Sequence, residues 1–196
     1  MKKGLLIVVS GPSGVGKGTI LKKVLENPTN NCFYSISMTT RKRREGEIDG
    51  VNYYFVNEYQ FQNAIANDEL LEYAEFVGNY YGTPKNVVEK MRNQGKNVVL
   101  EIEVQGATQV LEKCKDALSI FIVPPSMEEL EKRIKGRASE SEEVIQERLK
   151  KARKELYETT KYNYVVCNEN IEVAIDTVSS IIQRKMREQE LIESGN

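Results

Sequence analysis

The chain has 196 residues, 40% hydrophobic and 29% charged, the profile of one soluble globular domain large enough to bury a core. Its 28 Lys and Arg nearly cancel 29 Asp and Glu, leaving a formal net charge of -1 and no global attraction to nucleic acid or an anionic membrane. It contains no histidine, which excludes Ser-His-Asp and Cys-His nucleophilic catalysis, a histidine general base and any His-ligated metal.

Leu5 to Val9 is an unbroken apolar run rich in branched residues, the pattern of a strand covered on both faces in a parallel sheet. The run is too short for a signal-peptide core, and no stretch approaches a membrane span, so a cytoplasmic protein with no membrane association is expected. A glycine-rich loop follows, and Thr19 to Leu25 resumes helical spacing. Residues 37–83 are rich in Tyr, Thr, Asn, Gly and charge, and short alternating pieces such as Tyr53 to Val56 predict an antiparallel insertion. Pro84 to Asn93 reads as a helix, Val98 to Leu100 with Ile102 and Val104 as a buried strand, and Ala107 to Lys113 as a helix. Ser119 to Val123 forms another strand, and Ser126 with Glu129 makes a capping box that opens a helix. Residues 131–157 are almost entirely charged and predict a mobile, solvated helical arm. Tyr164 to Val166 supplies a last strand, and Ile171, Ala174, Ile175, Val178, Ile181 and Ile182 mark an amphipathic closing helix. Strand and helix alternate throughout, so the fold class is α/β with a mostly parallel sheet flanked by helices. Cys32, Cys114 and Cys167 are distant from one another and odd in number, which predicts buried or half-buried free thiols in a reducing compartment.

Gly11-Pro12-Ser13-Gly14-Val15-Gly16-Lys17 matches the core of a phosphate-binding P-loop, between a buried-type strand and a helix. Gly18 stands where Ser or Thr usually offers a hydroxyl to Mg²⁺, which leaves Thr19 or Ser13 for that contact. Downstream, the segment from Thr39 to Val56 carries Arg41 and Arg44 three apart, adjacent hydroxyls at Thr39 and Thr40, and then Tyr53, a set able to clamp a doubly charged phosphate.

Together with the P-loop, this long motif resembles the guanylate kinase family, and the resemblance extends over essentially the whole chain. It implies a P-loop NTPase core at 1–36, 84–130 and 158–196, a mixed α/β GMP-binding insertion at 37–83 and a helical lid at 131–157. It implies transfer of the γ-phosphoryl of ATP to GMP or dGMP, with Mg²⁺ accompanying ATP and no nucleic-acid polymer as partner. Residue by residue, it places the GMP phosphate on Arg41, Arg44, Tyr53 and Tyr81, and guanine on Ser37, Glu72 and Thr83. A carboxylate at Glu72 would accept from both N1–H and the exocyclic amine of guanine, a donor pair that adenine lacks. The resemblance puts ATP on Gly11 to Thr19, on Arg133 and Arg137 of the lid, and on Asn168 near the adenine ring. Glu101 is implied near Mg²⁺ through water together with Thr19, and Glu103 on the GMP side, both where the family more often has Asp. Lys17, Arg44, Arg137 and Arg148 would neutralise the transferring group. Helical spacing would set Arg133 and Arg137 on one face. A non-catalytic scaffold would not need Gly16, Lys17, Arg41 and Arg44, and a kinase for AMP or UMP would have no use for Glu72 and Ser37.

Overall fold

The computed structural model describes residues 2–76, 78–136 and 141–194. The chain opens with β1 (Leu6–Ser10) and α1 (Lys17–Glu26), then β2 (Cys32–Tyr34). The insertion comprises β3 (Met38–Thr39), β4 (Tyr54–Phe55), α2 (Glu58–Ala66), β5 (Leu70–Phe76) and β6 (Asn79–Pro84). The core resumes with α3 (Lys85–Asn93), β7 (Asn97–Glu101), α4 (Val104–Lys113) and β8 (Leu118–Val123). Helices α5 (Met127–Lys135) and α6 (Glu142–Leu156) precede β9 (Tyr164–Cys167) and the closing α7 (Ile171–Ser194).

The core sheet has five parallel strands in the order β2-β7-β1-β8-β9. Every residue of central β1 is buried, as its unbroken apolar run requires. Alternation divides that run between two layers: Ile7 and Val9 pack toward α1, α5, α6 and α7, whereas Leu6 and Val8 pack toward α3 and α4. The loops that follow β1 and β7 therefore leave the same edge of the sheet, at the C-terminal ends of these two parallel strands.

Three expectations need correction. The insertion is a four-stranded mixed sheet, β4-β3-β6-β5, in which β6 runs antiparallel to β3 and β5 but β4 pairs with β3 in parallel. Strand β7 stops at Glu101, where its pairing with β1 ends, so Ile102 lies in a loop and Val104 opens α4. The charged arm is well anchored: Ile145, Leu149 and Ala152 make a buried stripe on α6, and Leu130 and Ile134 bury the face of α5. Their spacing of four and three is one turn of helix, which a composition count does not reveal. Residues 137–140 lie outside the described residues.

Cys32 and Cys114 are half-buried as expected, but Cys167 is exposed; all three are free thiols. Burial pushes the Cys32 thiol up to about 12, so it stays protonated. Among the described residues no helix is long and apolar enough to cross a membrane.

Candidate active site

Residues from the core and the insertion meet in one cleft of about 670 Å³. The core supplies Ser13, Gly14, Gly16, Lys17, Gly18 and Thr19, with Glu101 at the end of β7 and Glu103 just beyond it. The insertion supplies Ser37, Arg41, Arg44, Tyr53, Glu72 and Tyr81.

The P-loop turns on glycines that nothing larger could replace. Gly11 has φ 144°, and a Cβ there would lie 2.3 Å from the Ile122 carbonyl oxygen; at Gly16, φ 100°, it would lie 2.5 Å from Asn168 Nδ2. Gly16 caps α1 without a side-chain hydrogen bond, and the first turn of α1 holds no acidic residue, so its N–H groups remain available to an anion. The Lys17 ammonium donates to the carbonyls of Gly11 at 2.6 Å and Pro12 at 3.1 Å. Burial lowers its pKa, and the carboxylates of Glu101 and Glu103 oppose that shift. Gly11, Pro12 and Val15 are buried and serve the loop through their backbone.

Two residues expected on ATP brace this loop. The Asn168 side-chain amide donates to the Val15 carbonyl at 2.8 Å, and the Asn168 carbonyl accepts from Arg133 Nη1 at 3.0 Å. Arg133 Nε also donates to Glu129 at 3.1 Å. Arg148 reaches across from α6 and donates to Ser13 Oγ at 2.6 Å. Arg137 lies outside the described residues.

At the far end of the cleft, Glu72 is 3% exposed and accepts from Thr83 Oγ1 at 2.6 Å. Burial pushes its carboxyl up to about 7, against the stabilising bonds from Thr83 and the charge of Lys113. Helix α4 makes room for it: a Cβ on Gly106 would sit 2.1 Å from Glu72 Oε2. The same helix grips β5, the edge strand. Gln109 Nε2 donates to the Tyr73 carbonyl at 2.6 Å, the Tyr73 N–H donates back to Gln109 Oε1 at 3.3 Å, and Lys113 Nζ donates to the Leu71 carbonyl at 2.9 Å. Gly106, Gln109 and Lys113 thus position Glu72, and sequence reasoning missed all three.

The arginine clamp is organised by another missed residue, Glu47. Its carboxylate accepts from Arg41 Nη2 at 2.7 Å and Nη1 at 3.1 Å, and from the Arg44 N–H at 2.8 Å. Arg41 lies over the ring of Tyr53, 5.3 Å from its centroid, and Tyr53 meets Tyr81 edge to face at 6.0 Å. The sequence signal for Glu47 is an acidic residue three positions beyond the basic run, set off from Glu45 by the turn at Gly46. The hydroxyls of Thr39 and Thr40 are occupied elsewhere: Thr39 donates to the Tyr80 carbonyl at 2.8 Å and Thr40 accepts from the Tyr80 N–H at 2.9 Å, joining β3 to β6.

The guanylate kinase family model matches residues 3–185. The chain belongs to the guanylate kinase family. A guanylate kinase of Mesoplasma florum is 54% identical over 183 residues, 93% of this chain and 62% of that protein, so the chain spans less than two thirds of its relative's length. The crystal structure of guanylate kinase from Anaplasma phagocytophilum superposes with a TM-score of 0.76 at 37% identity, covering 94% of this chain and 87% of the other.

The carboxylates of Glu101 and Glu103 take different partners. Glu101 accepts from the Tyr34 hydroxyl at 3.2 Å and comes within 3.8 Å of where a Cβ on Gly18 would sit. Glu103, at the N-terminus of α4, pairs with Lys151 of α6. Among the described residues no cluster of three His, Cys, Asp or Glu could cage a metal. Glu101 with the hydroxyls of Thr19 and Ser13 suits Mg²⁺ nevertheless, since that ion keeps waters and phosphate oxygens and takes few protein ligands.

Proposed function

We propose that this chain transfers the γ-phosphoryl group of ATP to GMP or dGMP, giving ADP and GDP or dGDP, a step of purine nucleotide recycling. One observation carries the reading: the buried Glu72 carboxylate, held by Thr83, faces the same cleft as the P-loop Lys17. A buried double acceptor suits the N1–H and amine of guanine and rejects adenine, whose N1 lone pair would face it. The clamp of Arg41, Arg44, Tyr53 and Tyr81 suits the GMP phosphate, and the loop from Gly11 to Thr19 suits ATP. Mg²⁺, when bound with ATP beside Glu101 and Thr19, supplies charge neutralisation on the phosphates.

The acceptor is a phosphate oxygen already ionised near neutral pH, so no side-chain base is required, in keeping with a chain that lacks histidine. Lys17, Arg44 and Arg148 neutralise the charge on the transferring group, with Arg137 added from beyond the described residues. Arg133 and Asn168 hold the P-loop in shape beside the adenine end of the site. The free thiols fit a reducing cytoplasmic setting.

A nucleotide panel tests the reading. ADP formation from ATP should follow addition of GMP and dGMP and be far slower with AMP or UMP; preference for AMP, or no turnover with any of them, would sink it. The Glu72 pKa of about 7 adds a pH signature. The carboxyl must be ionised to accept from guanine, so KM for GMP should fall roughly fourfold from about pH 6.5 to about pH 8, while KM for ATP changes less. In Glu72→Gln only the shallower titration of the GMP phosphate should remain.

The clamp has its own test. Glu47→Gln removes a charge from an anion site but releases Arg41 from its two-pronged hold. If orientation outweighs charge, KM for GMP rises about tenfold, the value of one well-placed charged hydrogen bond, with kcat less affected. A lower KM would show that Glu47 only repels phosphate.

A further inference from the structure

Beside the main cleft, a groove of about 280 Å³ separates α6 from the end of β5, and Lys151 forms part of its wall. The Lys151 ammonium pairs with the Glu103 carboxylate, lies 3.7 Å from Glu155 Oε1 and sits 4.3 Å from the centroid of the Phe76 ring. Three parts of the chain therefore converge on one cation: the arm through α6, the core through Glu103 at the start of α4, and the insertion through Phe76 at the end of β5. Glu103 and Phe76 also line the main cleft, so the junction is a wall shared by the two cavities. One turn earlier on the same face of α6, Arg148 holds Ser13 of the P-loop. A single helix thus touches the ATP loop with one side chain and the edge of the GMP insertion with the next.

We propose that Lys151 is a positioning residue that couples the seating of GMP in the insertion to the seating of ATP beneath the arm. The proposal rests on the guanylate kinase reading given above. Lys151 does not line the main cleft and acts through Glu103 and Phe76. Without its charge, Glu103 and Glu155 lose the cation that pairs with both and Phe76 loses its cap, so the arm and the insertion lose this shared contact. The side chains of Lys151 and Glu103 are 43% and 42% exposed, and ion pairs so exposed add little to global stability. The contact therefore bears on the relative placement of the three parts more than on folding.

Calorimetry on the full chain with GMP, with a non-hydrolysable β,γ-imido ATP analogue plus Mg²⁺, and with both together tests this. In the wild type, saturating analogue should tighten GMP binding about tenfold, and saturating GMP should tighten the analogue equally, because coupling is reciprocal. Lys151→Ala should retain each affinity measured alone and its melting temperature, while the mutual gain drops to about twofold. Lys151→Arg, which keeps the cation, should restore most of the gain. Undiminished coupling in Lys151→Ala, or independent binding in the wild type, overturns the proposal while leaving GMP recognition standing. A wild type that binds no GMP overturns the guanylate kinase reading and this proposal with it.

Discussion

Replacing Lys17 by alanine is expected to abolish measurable turnover while leaving GMP binding largely intact. The Lys17 ammonium bonds the carbonyls of Gly11 and Pro12, inside the loop proposed to take the ATP phosphates. It is also half-buried, and its lowered pKa reports the cost of keeping a cation there. A phosphate arriving at the start of α1 would compensate that cost, and the charge gained during transfer would strengthen the pairing. Loss of such a donor costs on the order of a thousandfold in kcat, and removal of the loop's internal carbonyl bonds adds to it. The proposed GMP contacts lie on the insertion, among Arg41, Tyr53, Glu72 and Tyr81, and do not include Lys17. A coupled ADP assay and calorimetry with GMP make the comparison, and undiminished turnover would remove Lys17 from its assigned role.

Glu72→Gln carries the second large effect, on selectivity. The Thr83 hydroxyl engages Oε1, so a glutamine keeping its carbonyl there turns its NH₂ toward the guanine donors. Two charge-assisted bonds are then replaced by a donor facing donors. At about 1.5–3 kcal/mol for each bond, kcat/KM for GMP should fall roughly 10²- to 10⁴-fold, and the preference over AMP should shrink with it. Stability should move the other way or hardly at all, because the substitution relieves a carboxylate that burial has already driven to a pKa of about 7. A drop in activity accompanied by an equal collapse of the melting temperature would mark Glu72 as structural. A retained melting temperature with lost GMP selectivity supports the assigned role.

What could be read before the fold was seen had local causes. The buried run at β1 and the glycines before Lys17 are consecutive, and Arg41 and Arg44 lie within one short segment, so strand, loop and clamp announce themselves in order. The supporting contacts span long stretches of chain. Ser13 with Arg148, Val15 with Asn168, and Tyr34 with Glu101 lie 135, 153 and 67 residues apart. No spacing rule links such pairs, because packing of the sheet and helices brings them together. Gly106 shows the same limit from the steric side: in sequence it is a weak helix residue, and only its approach to Glu72 explains why no side chain stands there. The arm misled for a different reason. Its charges outnumber its apolar residues, yet Ile145, Leu149 and Ala152 share one face and hold α6 against the core.

Helix α4's hold on β5 also bears on how the molecule coexists with copies of itself. Seven-residue β5 pairs with β6 along one side only, and its outer backbone groups, next to the partly exposed Tyr73 and Phe76, would otherwise form a template for a strand from another chain. Gln109 and Lys113 occupy the groups of Tyr73 and Leu71 that such a strand would need. The opposite edge of that sheet, β4, is two residues long, too short to seed an intermolecular ladder. The contacts that position Glu72 therefore also guard the insertion against aggregation.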